Sequence, residues 1–356
     1  MKAFRTSLIA GFAALLAVLG SSGTTVLAST AEVSLTGAGA TFPYPIYSKW
    51  FDMYHEKTGI EINYQSIGSG GGIQQVKAGT VDFGASDAAL SDAVLRTMPR
   101  RVLHFPTVAG AVAIAYNLPM VRQPLRLTPD VIAGIYMGNI KTWNDKRIVA
   151  ANPGVALPGA PILAVHRSDG SGTTNIFTTY LSAISPQWKE LVGANTSVSW
   201  PVGIGGKGNE GVAGLVRQTQ GAIGYVELAY AKQNRLSVAH VRNRKGAFVE
   251  PSLASTTAAA EGAAAMLAKD VRIPIVNSPA PTAYPICGLT FLLVYQDQKD
   301  AGKAHALAGF INWAIHDGQA VAEGLDYARL PEPVVRVNEL TLKKLTLAGK
   351  PLLAER

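Results

Sequence analysis

The sequence predicts a two-lobed α/β protein, and three observations predict it. The chain has 356 residues, more than one hydrophobic core usually supports. Short apolar runs alternate with amphipathic segments along most of its length, the pattern of strands feeding helices. Two of the apolar runs, at 105–117 and 289–295, are placed to pass from one lobe into the other and back. The expected boundaries are residues 32–108 with 288–356 for the first lobe and 109–287 for the second. Apolar residues make up 48%, charged residues 16%, and there are 36 Gly. That composition is globular and rich in turns, not disordered or coiled-coil.

The first thirty residues stand apart from this pattern. Lys2 and Arg5 form a basic start, Leu8 to Leu19 is apolar, and small residues around Ala28 and Ala31 offer a cleavage point. This is the layout of a signal peptide over 1–31. The apolar run is short for a membrane span of ~20 residues, and its far flank is Ser/Gly/Thr rather than basic. No Cys lies near the cut to carry a lipid. The mature chain is therefore expected to be exported, soluble and most simply periplasmic. Its single Cys, Cys287, cannot form an internal disulfide and sits before an apolar strand, so it reads as inert packing. The formal charge of +8 falls to +6 once Lys2 and Arg5 leave with the signal. That sign attracts anionic solutes. The basic residues are scattered without aromatic interleaving, which argues against nucleic acid.

The elements follow in order. Val33 opens a strand ended by the turn Gly37–Ala40, and a helix runs from Phe42 to Lys57. Glu61–Ile67 is a strand, Gly68–Gly72 a turn, and a helix starts near Ile73. Val81–Ala85 is a short strand. After the first crossing run, Ile162–His166 is a strand followed by a helix to Ile184. Ser197–Val202 reads as a strand, Val212–Gln218 as a helix, and Gly221–Val226 as a strand. Ala258–Lys269 and Lys303–His316 are helices, and the tail beyond Pro331 reads as a surface helix.

Four of these strand ends carry a small-residue turn with a hydroxyl before a helix begins. Ligands of open α/β sheets sit beyond the carboxyl ends of strands. Amides at a helix start lack an intrahelical partner and point outward with the positive end of the dipole, which suits an anion. The first turn holds Thr41 and Phe42, with Pro43 expected at the first helical position; Thr41 also reads as a simple cap. The second is Gly68-Ser69-Gly70-Gly71-Gly72, in which cap and ligand roles for Ser69 stand equal. The third ends at Ser86-Asp87, where Asp87 also reads as a cap. The fourth, Arg167-Ser168-Asp169-Gly170-Ser171-Gly172-Thr173, is the most specific. It sets a guanidinium, hydroxyls and glycine-spaced amides within one turn, and Arg pairs bidentately with tetrahedral oxyanions. Asp169 is spaced to orient Arg167.

Other patterns lead nowhere. Gly203-Ile-Gly205-Gly-Lys-Gly208 fits G-x-G-x-x-G, but lies deep in the chain, and an exported protein meets little dinucleotide. No serine lies in G-x-S-x-G. The six His lack ligand spacing, so no metal is expected, and no cofactor is implied. His166 reads as solvated or structural.

Six ordered runs carry a resemblance: 35–51, 67–73, 81–93, 166–182, 200–215 and 221–235, with 325–331 near the end. Together they resemble the periplasmic phosphate-binding protein of the phosphate-specific ATP-driven importer. The resemblance implies a type II periplasmic binding protein fold, with a mixed sheet flanked by helices in each lobe and a hinged cleft between. It implies a binding protein rather than an enzyme. Inorganic phosphate would be held by Thr41, Phe42, Ser69, Asp87, Arg167, Ser171, Gly172 and Thr173, with Asp169 orienting the arginine. The implied partners are the membrane permease subunits and their ATPase, and the mature protein is expected to be monomeric. The chain departs at Gly70, where close relatives often carry a second Ser, which suggests a looser loop. Cys287 likewise stands where a small polar or apolar residue is expected.

These residues suggest a mechanism. Hydroxyls and the amides of Phe42, Ser69, Ser171 and Gly172 would donate to the anion, and Asp87 would accept the hydrogen that hydrogen phosphate carries and sulfate lacks. The alternatives are another oxyanion, with arsenate the nearest because it also carries a hydrogen; a secreted phosphatase, for which neither metal site nor activated nucleophile is found; and an adhesin or stress role.

Overall fold

The computed structural model describes residues 33–353; the expected signal segment lies outside the described residues. A mixed sheet of nine strands organises them, and eight lie on one path. From one edge the order is Glu61–Ser66, Ser34–Gly39, Phe83–Ser86, Cys287–Tyr295, Val102–Tyr116, Ala222–Glu227, Leu163–Arg167 and Ile204–Gly206. The first three pair in parallel, and so do the last three. Between them stand the two crossing strands, and every step through that centre is antiparallel.

That arithmetic of directions positions the site. Three antiparallel steps separate the two parallel sets, so the sets point in opposite senses. The first set meets the second crossing strand at Phe291–Leu293, while the last set meets the first crossing strand at Val112–Tyr116. Displaced to opposite halves of the long strands, the two sets aim their carboxyl ends at each other. Both crossing strands are buried along their whole lengths, which is why they read as continuous apolar runs rather than alternating ones.

Each half packs its own core. In the helix Tyr44–Thr58 the buried side chains Ile46, Tyr47, Trp50, Phe51 and Tyr54 form one face. Phe51 packs against Phe83 and Phe310, and Trp50 against Trp313. In the other half Phe177 stacks on Tyr225 at 4.4 Å between ring centres and meets Tyr136 edge-on. Trp188 and Trp200 extend that cluster. Cys287 begins the second crossing strand fully buried, and burial pushes its thiol up to about 12. Among the described residues no helix is long and apolar enough to cross a membrane.

Two expectations about elements fail. Ser197–Val202 forms no strand; the chain pairs later, at Ile204–Gly206. Pro201 has no N–H to donate to a ladder, and Trp200 is used instead to stack on His166, 4.8 Å between ring centres. The helix expected near Ile73 starts at Ser69, so the glycine run is its first turn. Its glycines serve close approach: Gly70 N donates to Gly170 O at 2.8 Å, and a Cβ on Gly70 would stand 2.9 Å from Gly170 Cα. The loop is therefore pinned to the opposite set rather than loosened.

Candidate functional site

The opposed strand ends bring together residues far apart in sequence. From the first set come Thr41 and Phe42, Ser69, and Asp87; from the second, Arg167, Asp169, Ser171, Gly172 and Thr173. Thr41, Ser69, Asp87, Arg167, Ser171 and Thr173 are all buried. Ser69 Oγ accepts from Gly172 N at 3.0 Å and from Asp87 N at 3.3 Å, so one hydroxyl joins three of the four turns.

The alternative capping roles mostly fall away. The helix Tyr44–Thr58 is capped by Pro43 without a side-chain bond, and Pro43 precedes the helix instead of opening it. Thr41 is therefore no cap. Tyr230 and Tyr327 donate to the carbonyls of Thr41 and Phe42 at 2.7 and 2.6 Å and fix both peptides. The helix Ser69–Ala78 is capped by Gly68, which leaves Ser69 to face the opposite set. Asp87 caps nothing: the next helix, Asp92–Leu95, is capped by Ser91. Only Ser171 is a cap, its Oγ accepting from Thr174 N at 3.0 Å. Its amide donates to Thr196 O at 2.8 Å, so Ser171 offers its hydroxyl and not the expected amide. The amide of Gly172 likewise donates to Ser69.

Arg167 ends its strand almost fully buried. Its Nε and Nη2 donate to the two oxygens of Asp169 at 2.8 and 2.6 Å, and Nη1 lies 3.4 Å from Thr173 Oγ1. Gly208 N adds a third bond to Asp169, at 3.0 Å. Burial alone would raise Asp169; the bonds and charge of Arg167, with Gly208 helping, outweigh it and hold the carboxyl below its ordinary range. Asp87 is the opposite case. Burial pushes it up to about 7, against the bond from Thr290 Oγ1 at 2.8 Å and the charge of Arg167. It lies hard against Gly172, where a Cβ would come within 2.6 Å of the Asp87 amide and side chain.

One residue of the site is absent from the sequence-derived set. Asn209 is fully buried at the start of the helix Gly208–Gln218. Its Nδ2 donates to Thr41 Oγ1 at 2.8 Å and to Thr173 Oγ1 at 3.2 Å. The signal for it in the sequence is the strand–glycine–helix pattern at 203–209, a fifth turn of the same kind that also fits a dinucleotide motif. In the structure its glycine amide supports Asp169 and its asparagine bridges the two sets.

The hydrogens can be counted. Thr41 and Thr173 accept from Asn209, Ser69 accepts from two amides, and Ser171 accepts from one. A hydroxyl that accepts from N–H groups retains its own hydrogen to donate. Four such hydrogens, the first-turn amides, a guanidinium held in plane and a carboxyl poised near neutrality are complementary in kind to a tetrahedral anion that carries a hydrogen. His166 stands outside it, stacked on Trp200. Among the described residues no group of His, Cys, Asp and Glu gathers to hold a metal.

Known proteins share the sequence pattern and the fold. Residues 24–317 match the family model described as PBP superfamily domain. Phosphate-binding protein PstS of Pasteurella multocida is 46% identical over 325 residues, covering 91% of this chain and 93% of the relative. Its counterpart from Xylella fastidiosa (strain 9a5c) is 47% identical over 308 residues, 86% of this chain and 84% of the relative. Among solved structures, a phosphate-binding protein from Stenotrophomonas maltophilia superposes with a TM-score of 0.65 at 20% identity, over 86% of this chain and 92% of that one. The high affinity periplasmic phosphate-binding protein PfluDING reaches 0.69 at 21% identity, over 90% of this chain and 100% of its own. At such identities the structures speak for the fold, the two-lobed α/β fold of periplasmic binding proteins. The relatives are binding proteins by name, not hydrolases. The chain belongs to the PBP superfamily and, within it, to the phosphate-binding protein PstS family.

Proposed function

We propose that this protein captures inorganic phosphate between its two lobes, outside the cytoplasmic membrane, and delivers it to an ATP-driven importer. The observation that carries the reading is the pairing of opposites at the site: a buried Arg167 locked to Asp169, facing a buried Asp87 whose carboxyl titrates near neutrality. Thr41, Ser69, Ser171 and Thr173 donate hydroxyl hydrogens, and the amides of Phe42, Ser69 and Thr173 donate from helix starts. The guanidinium takes two phosphate oxygens, while Asp87 accepts the hydrogen of hydrogen phosphate. Sulfate has no hydrogen to give and would set an oxygen against a carboxylate. Rejection of an isostere by an unmatched buried group reaches ~10⁴-fold or more.

The lobes are residues 32–108 with 288–356, and 109–287. The sheet supports this division, because the partners of the crossing strands change near Ala109–Val112 and Cys287–Phe291. Residues 1–31 are read as the export signal, the mature protein as a periplasmic monomer, and the permease subunits with their ATPase as the partners that receive the anion. Calorimetric titration of the purified protein with phosphate and then sulfate tests the central claim. Tight phosphate binding with no sulfate heat at pH 8 is expected; comparable affinity for both would refute the role of Asp87, and no phosphate binding would refute the function.

A further inference from the structure

Behind the site lies a second buried carboxyl that the proposed mechanism does not use. Glu227 ends the strand Ala222–Glu227 and is fully buried. Its Oε2 accepts from Ala229 N at 2.7 Å and lies 3.1 Å from the Tyr327 hydroxyl. Its Oε1 has no hydrogen-bond partner among the described residues and rests against Gly110 of the first crossing strand.

The hydrogens around Tyr327 do not add up if Glu227 is charged. Tyr327 has one hydroxyl hydrogen. Its oxygen stands 2.6 Å from Phe42 O, a separation that requires a hydrogen between them. A peptide carbonyl has none to give, so the hydrogen is the tyrosine's and points at Phe42. The contact with Glu227 then needs a second hydrogen, and Glu227 must supply it. A neutral carboxyl does so: its hydroxyl donates to Tyr327 and still accepts from Ala229 N. Neutrality also suits Oε1, since a charged oxygen without a partner is far costlier to bury than a neutral one. No cation pairs with Glu227 among the described residues. The titratable groups around it are Tyr230, Tyr327 and Asp326, the last ion-paired with Lys232. Burial, first, and the charge of Asp326 raise Glu227 well above the ordinary carboxylate range.

We infer that Glu227 is a positioning residue that carries a proton in the folded protein and, through Tyr327, holds the Phe42–Pro43 peptide, the one that follows the Phe42 amide of the anion site. The chain Glu227–Tyr327–Phe42 starts at the strand end of one set and finishes at the turn of the other. The backbone N–H of Glu227 also donates to Asn209 Oδ1 at 2.9 Å, which orients the amide that reaches Thr41 and Thr173. One residue thus braces the main chain next to the Phe42 amide and the side chain that orients the Thr41 and Thr173 hydroxyls. Its effect on binding rests on the phosphate reading; its proton does not.

Infrared spectroscopy in ²H₂O at pH 8, compared among wild type, Asp87→Asn and Glu227→Gln, reads the proton directly. The C=O band of an un-ionised carboxylic acid is expected in wild type and in Asp87→Asn and is lost in Glu227→Gln. No such band in wild type, or its loss in Asp87→Asn, overturns the inference even if Glu227→Gln does not fold. Glutamine cannot both donate to Tyr327 and accept from Ala229 through one atom. Glu227→Gln and Tyr327→Phe are therefore each expected to weaken binding of inorganic phosphate by roughly tenfold, about one neutral hydrogen bond. The double variant should lose little more than the worse single one, because both break one chain. Folded single variants that bind phosphate as wild type does, or losses that multiply, would refute the positioning role. A wild type that binds no phosphate would refute the proposed function and leave the band to decide the proton.

Discussion

Two strand ends of this protein carry the same chemical group and treat it in opposite ways. Asp87 follows the strand Phe83–Ser86, and Asp169 follows the strand Leu163–Arg167. Both lose water, and for both burial is the largest influence on the carboxyl. Asp169 meets two guanidinium hydrogens and an amide, and stays ionised; Asp87 meets one threonine hydroxyl, and rises to about 7. The difference lies in the hydrogens each turn supplies and in depth, since Asp87 is buried and Asp169 only partly so. It divides the labour at the site: one set brings a fixed positive charge already matched by its own acid, while the other brings an acid whose charge waits on what it faces. With both acids ionised the site would repel an anion that has no hydrogen to give, and a site without Asp87 would accept any anion of the right size.

The sharpest way to break this asymmetry is to remove the cation. Arg167→Ala should cost about 2–5 kcal/mol of phosphate binding, the scale for truncating one partner of a buried charge pair. It should also move both acids: Asp169 rises once its donors are gone, and Asp87 rises above 7. Titration calorimetry measures the first effect, and carbon-detected NMR of the aspartate carboxyls the second. A variant in which the two acids keep their separation would show that Arg167 does not create it.

Asp87→Asn attacks the other side. Sulfate should gain affinity, while phosphate loses the acceptor for its hydrogen. In wild type the same gain should come from acid: as the pH falls through about 7, Asp87 takes up a proton, stops repelling sulfate and begins to donate. Sulfate binding that rises between pH 8 and 6 in wild type but stays flat in Asp87→Asn is the expected pair of curves. Stability carries the same sign. The folded pKa lies above the unfolded one, so the ligand-free native state binds more protons between about pH 4 and 7 and loses stability as the pH rises through that window. Asp87→Asn should flatten this slope by a few kcal/mol, on the order of what three pKa units imply. Denaturant midpoints at several pH values measure it. Asp169→Asn comes next, costing phosphate binding about 1.5–3 kcal/mol through a charge-assisted bond as Arg167 loses its fixed plane.

How much of this was legible in the sequence depends on how local each contact is. Arg167, Asp169, Ser171 and Thr173 lie within seven residues, so strand–turn–helix logic recovers them without a fold. The crossing strands were legible as long apolar runs, because a strand buried on both faces has no alternation to hide. The fate of the glycine run at 70–72 was not legible, since a helix start and a loop look alike until Gly170 arrives across the cleft. Nor was the absence of a strand at Ser197–Val202, where Trp200 is taken by His166 instead of a ladder. The raised carboxyls of Asp87 and Glu227 depend on what surrounds them in space, and no run of residues encodes that.

Asn209 marks the limit of sequence reading and offers the mildest test of the asymmetry. It belongs to neither acid, yet its side chain joins a hydroxyl from each set and accepts the Glu227 amide on its other end. Asn209→Ala keeps the charges and the strand ends and removes the bridge together with the acceptor of the Glu227 amide. Thr41 and Thr173 would then hold their hydrogens less firmly in register, at a cost of about 1 kcal/mol in phosphate binding, one neutral hydrogen bond. Sulfate rejection should be unchanged, because Asp87 is untouched. A loss of selectivity in Asn209→Ala would mean that the hydroxyl frame, and not the carboxyl alone, reads the hydrogen, and the division of labour between the two sets would have to be redrawn.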